Sequence, residues 1–144
     1  MSVVKTVLAF VLGVMATFWG KYGVVISLVS IAIIFDVATG CIKATTVGKG
    51  LDSRTGAKGF WKKIAYLVAL GFGIFLDYGI PYIIAAGVAF ELPFSLPLGA
   101  TVGVYIILTE SISVIENLYE IGMPFPKFIL NLLKIGKERM EEIQ

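Results

Sequence analysis

Three stretches of this chain are too long and too apolar to be anything but membrane-embedded. Segments 22–42, 64–90 and 97–118 each reach the roughly 20 residues that a helix needs to cross a 30 Å hydrocarbon core. Composition carries the same message. Ala, Val, Ile, Leu, Met, Phe, Trp, Tyr and Cys make up 58% of 144 residues, charged residues only 15%, and the mean hydropathy is +0.92. A soluble domain of this size has too little interior to hide that much apolar surface. A further stretch, 3–19, is weaker, because its uncharged part is only Thr6–Trp19. Gly20, Lys21, Tyr22 and Gly23 are expected to break it from the next helix. Lys5 followed by an apolar run also has the look of a signal peptide, but Trp19 stands where a small-residue cleavage site belongs. The expectation is an all-α integral membrane protein, one domain over 1–144, with three to four transmembrane helices.

Several function classes fall away early. Twelve Lys and Arg against ten Asp and Glu is too balanced for nucleic-acid binding. The single cysteine, Cys41, allows neither an internal disulfide nor a Cys-rich metal cluster. Histidine is absent, which removes the commonest general base and most zinc sites. An enzyme remains open on these grounds, but its usual parts are missing.

Charge placement sets the expected topology. Lys43, Lys49, Arg54, Lys58, Lys62 and Lys63 crowd the connection 43–63, and Lys127, Lys134, Lys137 and Arg139 lie in the tail. The turn Phe90–Leu96 has only Glu91. The connection and the C-terminus are therefore expected in the cytoplasm. If 3–19 also spans, 11 of the 12 basic residues sort to that side and Lys21 is the exception.

The connection is read as a Gly-rich basic loop that ends at the interface, with Arg54, Lys58, Trp61, Lys62 and Lys63 as its membrane-contacting residues. It does not match the spacing of a phosphate-binding P-loop, since Phe60 follows Gly59 and Ala57 follows Gly56. After Met123-Pro124-Phe125-Pro126, segment 124–144 reads as an amphipathic cytoplasmic helix. Ile129, Leu132, Leu133, Met140 and Ile143 share its apolar face.

Four acids fall in or near the spans: Asp36, Asp77, Glu110 and Glu116. Each costs roughly 2.5–3.5 kcal/mol near mid-helix on insertion scales, so each is expected to face protein or water. No Lys or Arg is expected deep enough to pair with them. Lys43 is one candidate partner, since it shares a helical face with Asp36, Thr39 and Gly40, but it sits two turns from Asp36, too far for direct contact within one helix. Asp77 lies four residues before Pro81, which is expected to bend its helix. Thr109, Glu110, Ser113, Glu116, Asn117 and Glu120 form a polar stripe on the last span, and Gly99 and Gly103 have the G-x-x-x-G spacing that lets helices approach closely. The stripe suits a subunit interface or water path, or equally packing within one chain. Asp36, Gly40, Lys43, Asp77, Gly99, Gly103, Glu110, Ser113, Glu116 and Asn117 are the candidate pore or assembly residues.

The run Asp36–Ala44, the loop Gly50–Ile64, the segment Glu110–Leu118 and the following Gly122–Lys127 together resemble the phage-lysis and toxin-secretion holin family. Asp77 matches the acid of that family's third hydrophobic segment. The resemblance spans about Phe35–Leu133. It implies a multi-pass protein of the bacterial cytoplasmic membrane that forms homo-oligomers among lipid and permeabilises the membrane. Its functional partner would be an endolysin (a cell-wall hydrolase) or a secreted toxin, with lysis or secretion as the outcome. It implies no enzymatic activity, no cofactor and no catalytic residues. The competing readings are a small proton-coupled exporter using a membrane acid, and a non-conducting antiholin or accessory scaffold.

Overall fold

The structure is a computed structural model that describes residues 2–47, 50, 53–87, 97–129 and 131. Its elements are three helices: α1 (Ser2–Thr46), α2 (Ser53–Ala85) and α3 (Leu98–Glu120). All three contain a stretch long and apolar enough to cross a membrane, running Trp19–Thr46, Arg54–Ala85 and Leu98–Glu120. α3 is the central element and packs against both α1 and α2.

The sequence expectation needs two corrections. First, segments 3–19 and 22–42 are one continuous helix of 45 residues, about 67 Å long at 1.5 Å per residue. A glycine inside a helix costs only about 1 kcal/mol, and neither Gly20 nor Gly23 adopts a positive φ. The Trp19 indole lies over Gly23, where a Cβ would come within 3.1 Å of the ring. Lys21 is held by the rings of Tyr22 and Tyr78, at 5.1 and 5.3 Å from their centroids, so its charge does not mark a loop. Second, most of 43–63 is helical. Lys43 belongs to α1, and α2 begins at Ser53, so Gly56 and Gly59 are helical residues with open space at their Cβ positions. The turn itself reverses at Gly50, whose φ of +68° only glycine adopts readily.

α2 runs through Pro81 to Ala85, short of the expected residue 90. α3 extends past Leu118 to Glu120. The turn Phe90–Leu96 and most of the tail 124–144 lie outside the described residues; within the tail, 127–129 are helical.

Each helix turns one seam inward. On α1 it is Tyr22, Val29, Asp36 and Lys43, flanked by Val25 and Ile26, Ala32 and Ile33, and Thr39 and Gly40. On α2 it is Lys63, Tyr66, Leu70, Gly73, Ile74 and Asp77, and on α3 Gly99, Gly103, Ile106, Glu110 and Asn117. These spacings of three and four residues are those of helices packed side by side. The apolar core is small: Tyr22, Val29, Leu70, Ile74 and Ile106. Thr39, Asp77 and Glu110 are buried beside it, while Val24, Ile34, Val68, Phe72, Phe75 and Leu108 are exposed. Polar groups inside and large apolar groups outside are the arrangement that lipid favours as solvent.

Candidate functional site

Two polar clusters interrupt the seam, one toward each end of the bundle. The first lies about ten residues in from the helix ends Thr46, Ser53 and Glu120, which form the basic end of the molecule. Asp36 of α1, Lys63 of α2 and Glu110 of α3 occur at this one level, roughly 15 Å along each helix. The Lys63 ammonium donates to Asp36 Oδ2 at 2.7 Å and to Glu110 Oε2. The amide of Asn117 donates to Asp36 Oδ1 at 3.2 Å and to Thr39 Oγ1 at 3.3 Å. Thr39 donates its own hydroxyl proton back to the Phe35 carbonyl at 2.8 Å. Ser113 also lies beside Asp36. Gly40 borders this network, and a Cβ there would make ordinary van der Waals contact with Asn117 Nδ2 at 3.7 Å. One cation thus serves two carboxylates, and each member comes from a different helix.

Closer to the basic end, Lys43 pairs with Glu120 at 2.8 Å across a half-exposed gap. This corrects two expectations. A cation does reach the membrane acids, and it is Lys63, which the sequence placed in the interfacial loop. Lys43, the residue singled out for that role, serves Glu120 instead. α2 begins early enough to carry Lys63 three turns into the bundle before the apolar stretch starts.

The second cluster is at the opposite end. Pro97, which precedes α3, provides no side-chain cap. The Asp77 carboxylate of α2 takes its place, accepting from Leu98 N at 2.7 Å and Gly99 N at 2.8 Å. The Tyr22 hydroxyl of α1 donates to Asp77 Oδ2 at 2.7 Å. Negative charge against the N-terminus of a helix is favourable, because the first backbone N–H groups have no partner within the helix. The sequence does not single out Tyr22. Its only trace in the sequence is its place on the face that also holds Val29 and Asp36.

Gly99 and Gly103 are both used within the chain. A Cβ on Gly99 would meet Ile74 Cγ1 at 2.7 Å, and Gly73 faces Gly99 with a Cβ-to-Cα approach of 3.1 Å. A Cβ on Gly103 would run into Cγ1 of Val25. Glu110, Asn117 and Glu120 of the polar stripe are likewise engaged by α1 and α2, and Glu116 is half-buried on α3. Every buried side-chain nitrogen or oxygen among the described residues has a partner. No group of metal-ligating side chains gathers among those residues.

Arg54, Lys58, Trp61 and Lys62 are exposed on the first turns of α2. Trp61 packs edge-on to Phe60, and Lys62 lies 5.3 Å from the Tyr66 ring centroid.

No solved structure matches the chain. An uncharacterized protein of Halalkalibacterium halodurans is 25% identical over 119 residues, which cover 83% of this chain and 82% of that protein. The model of the bacteriophage holin family matches residues 13–138. That range takes in all three inward seams, both polar clusters and the basic start of α2, and by it this membrane protein belongs to the bacteriophage holin family.

Proposed function

We propose that several copies of this chain assemble in the bacterial cytoplasmic membrane and permeabilise it, so that a cell-wall hydrolase or a toxin can leave the cell. The basic end of the bundle faces the cytoplasm, since positive residues concentrate there. The observation that carries the reading is the polar row down α3, in a holin-family chain whose spans expose large apolar side chains such as Val24, Ile34, Val68, Phe72 and Leu108. In the single chain that row is closed by Asp36, Lys63, Thr39 and Lys43. Three helices at ordinary packing distance enclose no water path. A lesion therefore needs more than one copy, with lipid-facing side chains kept outside and polar ones turned inward.

Expression in bacteria tests this directly. The chain is expected to collapse the membrane potential, and a co-expressed wall hydrolase is then expected to lyse the cells. Electron microscopy of detergent-extracted protein should show rings or higher assemblies. Accumulation in the membrane with the potential intact and no assembly would end the proposal. The closed seam also favours a second reading, a non-conducting antiholin. That reading requires the chain to stay silent alone and to delay lysis by a conducting relative.

A further inference from the structure

Lys62 and Lys63 are neighbours with opposite surroundings. Lys63 turns into the bundle, where Asp36 and Glu110 neutralise it. Lys62 turns outward. At 100° per residue, Arg54, Lys58, Trp61 and Lys62 share an arc of about 100° on the face opposite Lys63. All four are exposed, Trp61 at 67%. The segment Ser53–Lys63 contains no acidic residue. Continuing along the same side of the helix, Ala65, Val68, Ala69 and Phe72 are also exposed, and every one is apolar. A single outward face of α2 thus changes from basic to apolar within one turn, at Trp61 and Lys62.

Such a boundary is where phosphate headgroups meet acyl chains. Cationic side chains ahead of it lie at headgroup depth, and an indole ring prefers the same level. We propose that the Arg54–Lys58–Lys62 ridge, with Trp61 at its foot, is a binding surface for the phosphodiester of anionic phospholipids in the cytoplasmic leaflet. Zwitterionic lipid carries the same phosphate but with a compensating cation, so the ridge selects net negative headgroups. This inference does not depend on permeabilising activity.

The test uses the full chain with Trp19→Phe, which leaves Trp61 as the sole tryptophan. It is reconstituted in phosphatidylcholine vesicles containing phosphatidylglycerol, with bromine carried either on the phosphatidylglycerol or on an equal amount of the phosphatidylcholine. Bromine quenches tryptophan only at short range, so quenching reports which lipid sits beside Trp61. Brominated phosphatidylglycerol is expected to quench several-fold more strongly, and added salt to shrink that difference. Arg54→Gln/Lys58→Gln/Lys62→Gln is expected to abolish the preference. Arg54→Lys/Lys58→Arg/Lys62→Arg, which keeps the charge, is expected to retain it. Equal quenching by the two lipids, or a preference that survives the glutamine variant, would overturn the proposal.

Discussion

The two ends of the bundle solve one problem in different ways. Both must satisfy carboxylates at a depth where water is scarce and an isolated charge is costly. At the far end, Asp77 has no ion-pair partner among the described residues and relies on three hydrogen-bond donors: one phenol and two backbone N–H groups of α3. At the basic end, Asp36 and Glu110 share the Lys63 ammonium, with Asn117 supporting Asp36. The first solution uses a helix end, whose donors need an acceptor in any case. The second lies mid-helix, where the backbone is already satisfied and only a side chain can help. The difference predicts a sharp contrast in sensitivity, since removing one donor of three leaves Asp77 two, whereas removing Lys63 leaves two carboxylates without a cation.

The largest effect is therefore expected from Lys63→Met. Breaking a buried ion pair by deleting one partner typically costs about 3–5 kcal/mol, and here two charges are stranded. Thermal unfolding of the detergent-solubilised protein should show a large drop in midpoint. Adding Asp36→Asn and Glu110→Gln to that variant should recover much of the loss, because neutral amides no longer need a cation. A triple variant no more stable than Lys63→Met alone would show that the cluster is not held together electrostatically.

Next in size is Gly103→Ala, which disturbs packing between the clusters without touching either. Its added methyl would collide with Val25 Cγ1, and overpacking of this kind costs typically about 1–3 kcal/mol. Val25→Ala should relieve it, so the double variant is expected to be more stable than Gly103→Ala alone. Independent, additive losses would contradict the contact. Because this glycine is filled from within the chain, a lysis defect in its variants has to be checked against bundle stability before it is assigned to assembly.

Much of this contrast could be read from the sequence, and the part that could not has a physical cause. The acids, the glycine pair and the α3 stripe are visible because polar or small residues stand out in an apolar helix and fall at three- and four-residue spacing. The partners are long-range. Tyr22 and Asp77 are 55 residues apart, and Lys63 and Glu110 are 47 apart, and no local period encodes which seams meet. By sequence Lys63 belongs to the interface, because the glycines around it read as a loop. In a helix that starts at Ser53, the same spacing turns it away from Arg54, Lys58 and Lys62. The break expected at Gly20–Gly23 failed for a related reason. In the absence of a positive φ, glycine merely weakens a helix, and backbone without water as a partner stays helical.

At the far end a moderate effect is expected from Tyr22→Phe. It removes one neutral donor from an ionised acceptor, a loss of roughly 1.5–3 kcal/mol for a bond to a charged group, while Leu98 N and Gly99 N remain in place. Asp77→Asn should cost a similar amount, since one carbonyl oxygen must then serve donors that two oxygens now share. If the cluster works as a cap on α3, hydrogen exchange at Leu98 and Gly99 should accelerate in Asp77→Asn and much less in Tyr22→Phe. Equal acceleration in both would mean that the phenol, and not the carboxylate, holds the helix start.

The smallest effect is expected at Lys43–Glu120, the outermost of the cross-helix contacts at the basic end. Its distance of 2.8 Å is close to the 2.7 Å of Lys63–Asp36, but the lysine side chain is 32% and the glutamate 50% exposed, against 14% and 15% in that pair. Water and salt screen such a pair, and exposed ion pairs typically contribute about 0–1 kcal/mol. Lys43→Gln should therefore shift the unfolding midpoint only slightly, and high salt should erase the shift. The same substitution chemistry at Lys63 is expected to be severe and insensitive to salt. Distance is nearly matched between Lys43–Glu120 and Lys63–Asp36, so burial and the second carboxylate that Lys63 serves explain the gap. A Lys43→Gln variant as damaged as the Lys63 variant would show that depth in the bundle is not what sets the strength of these pairs.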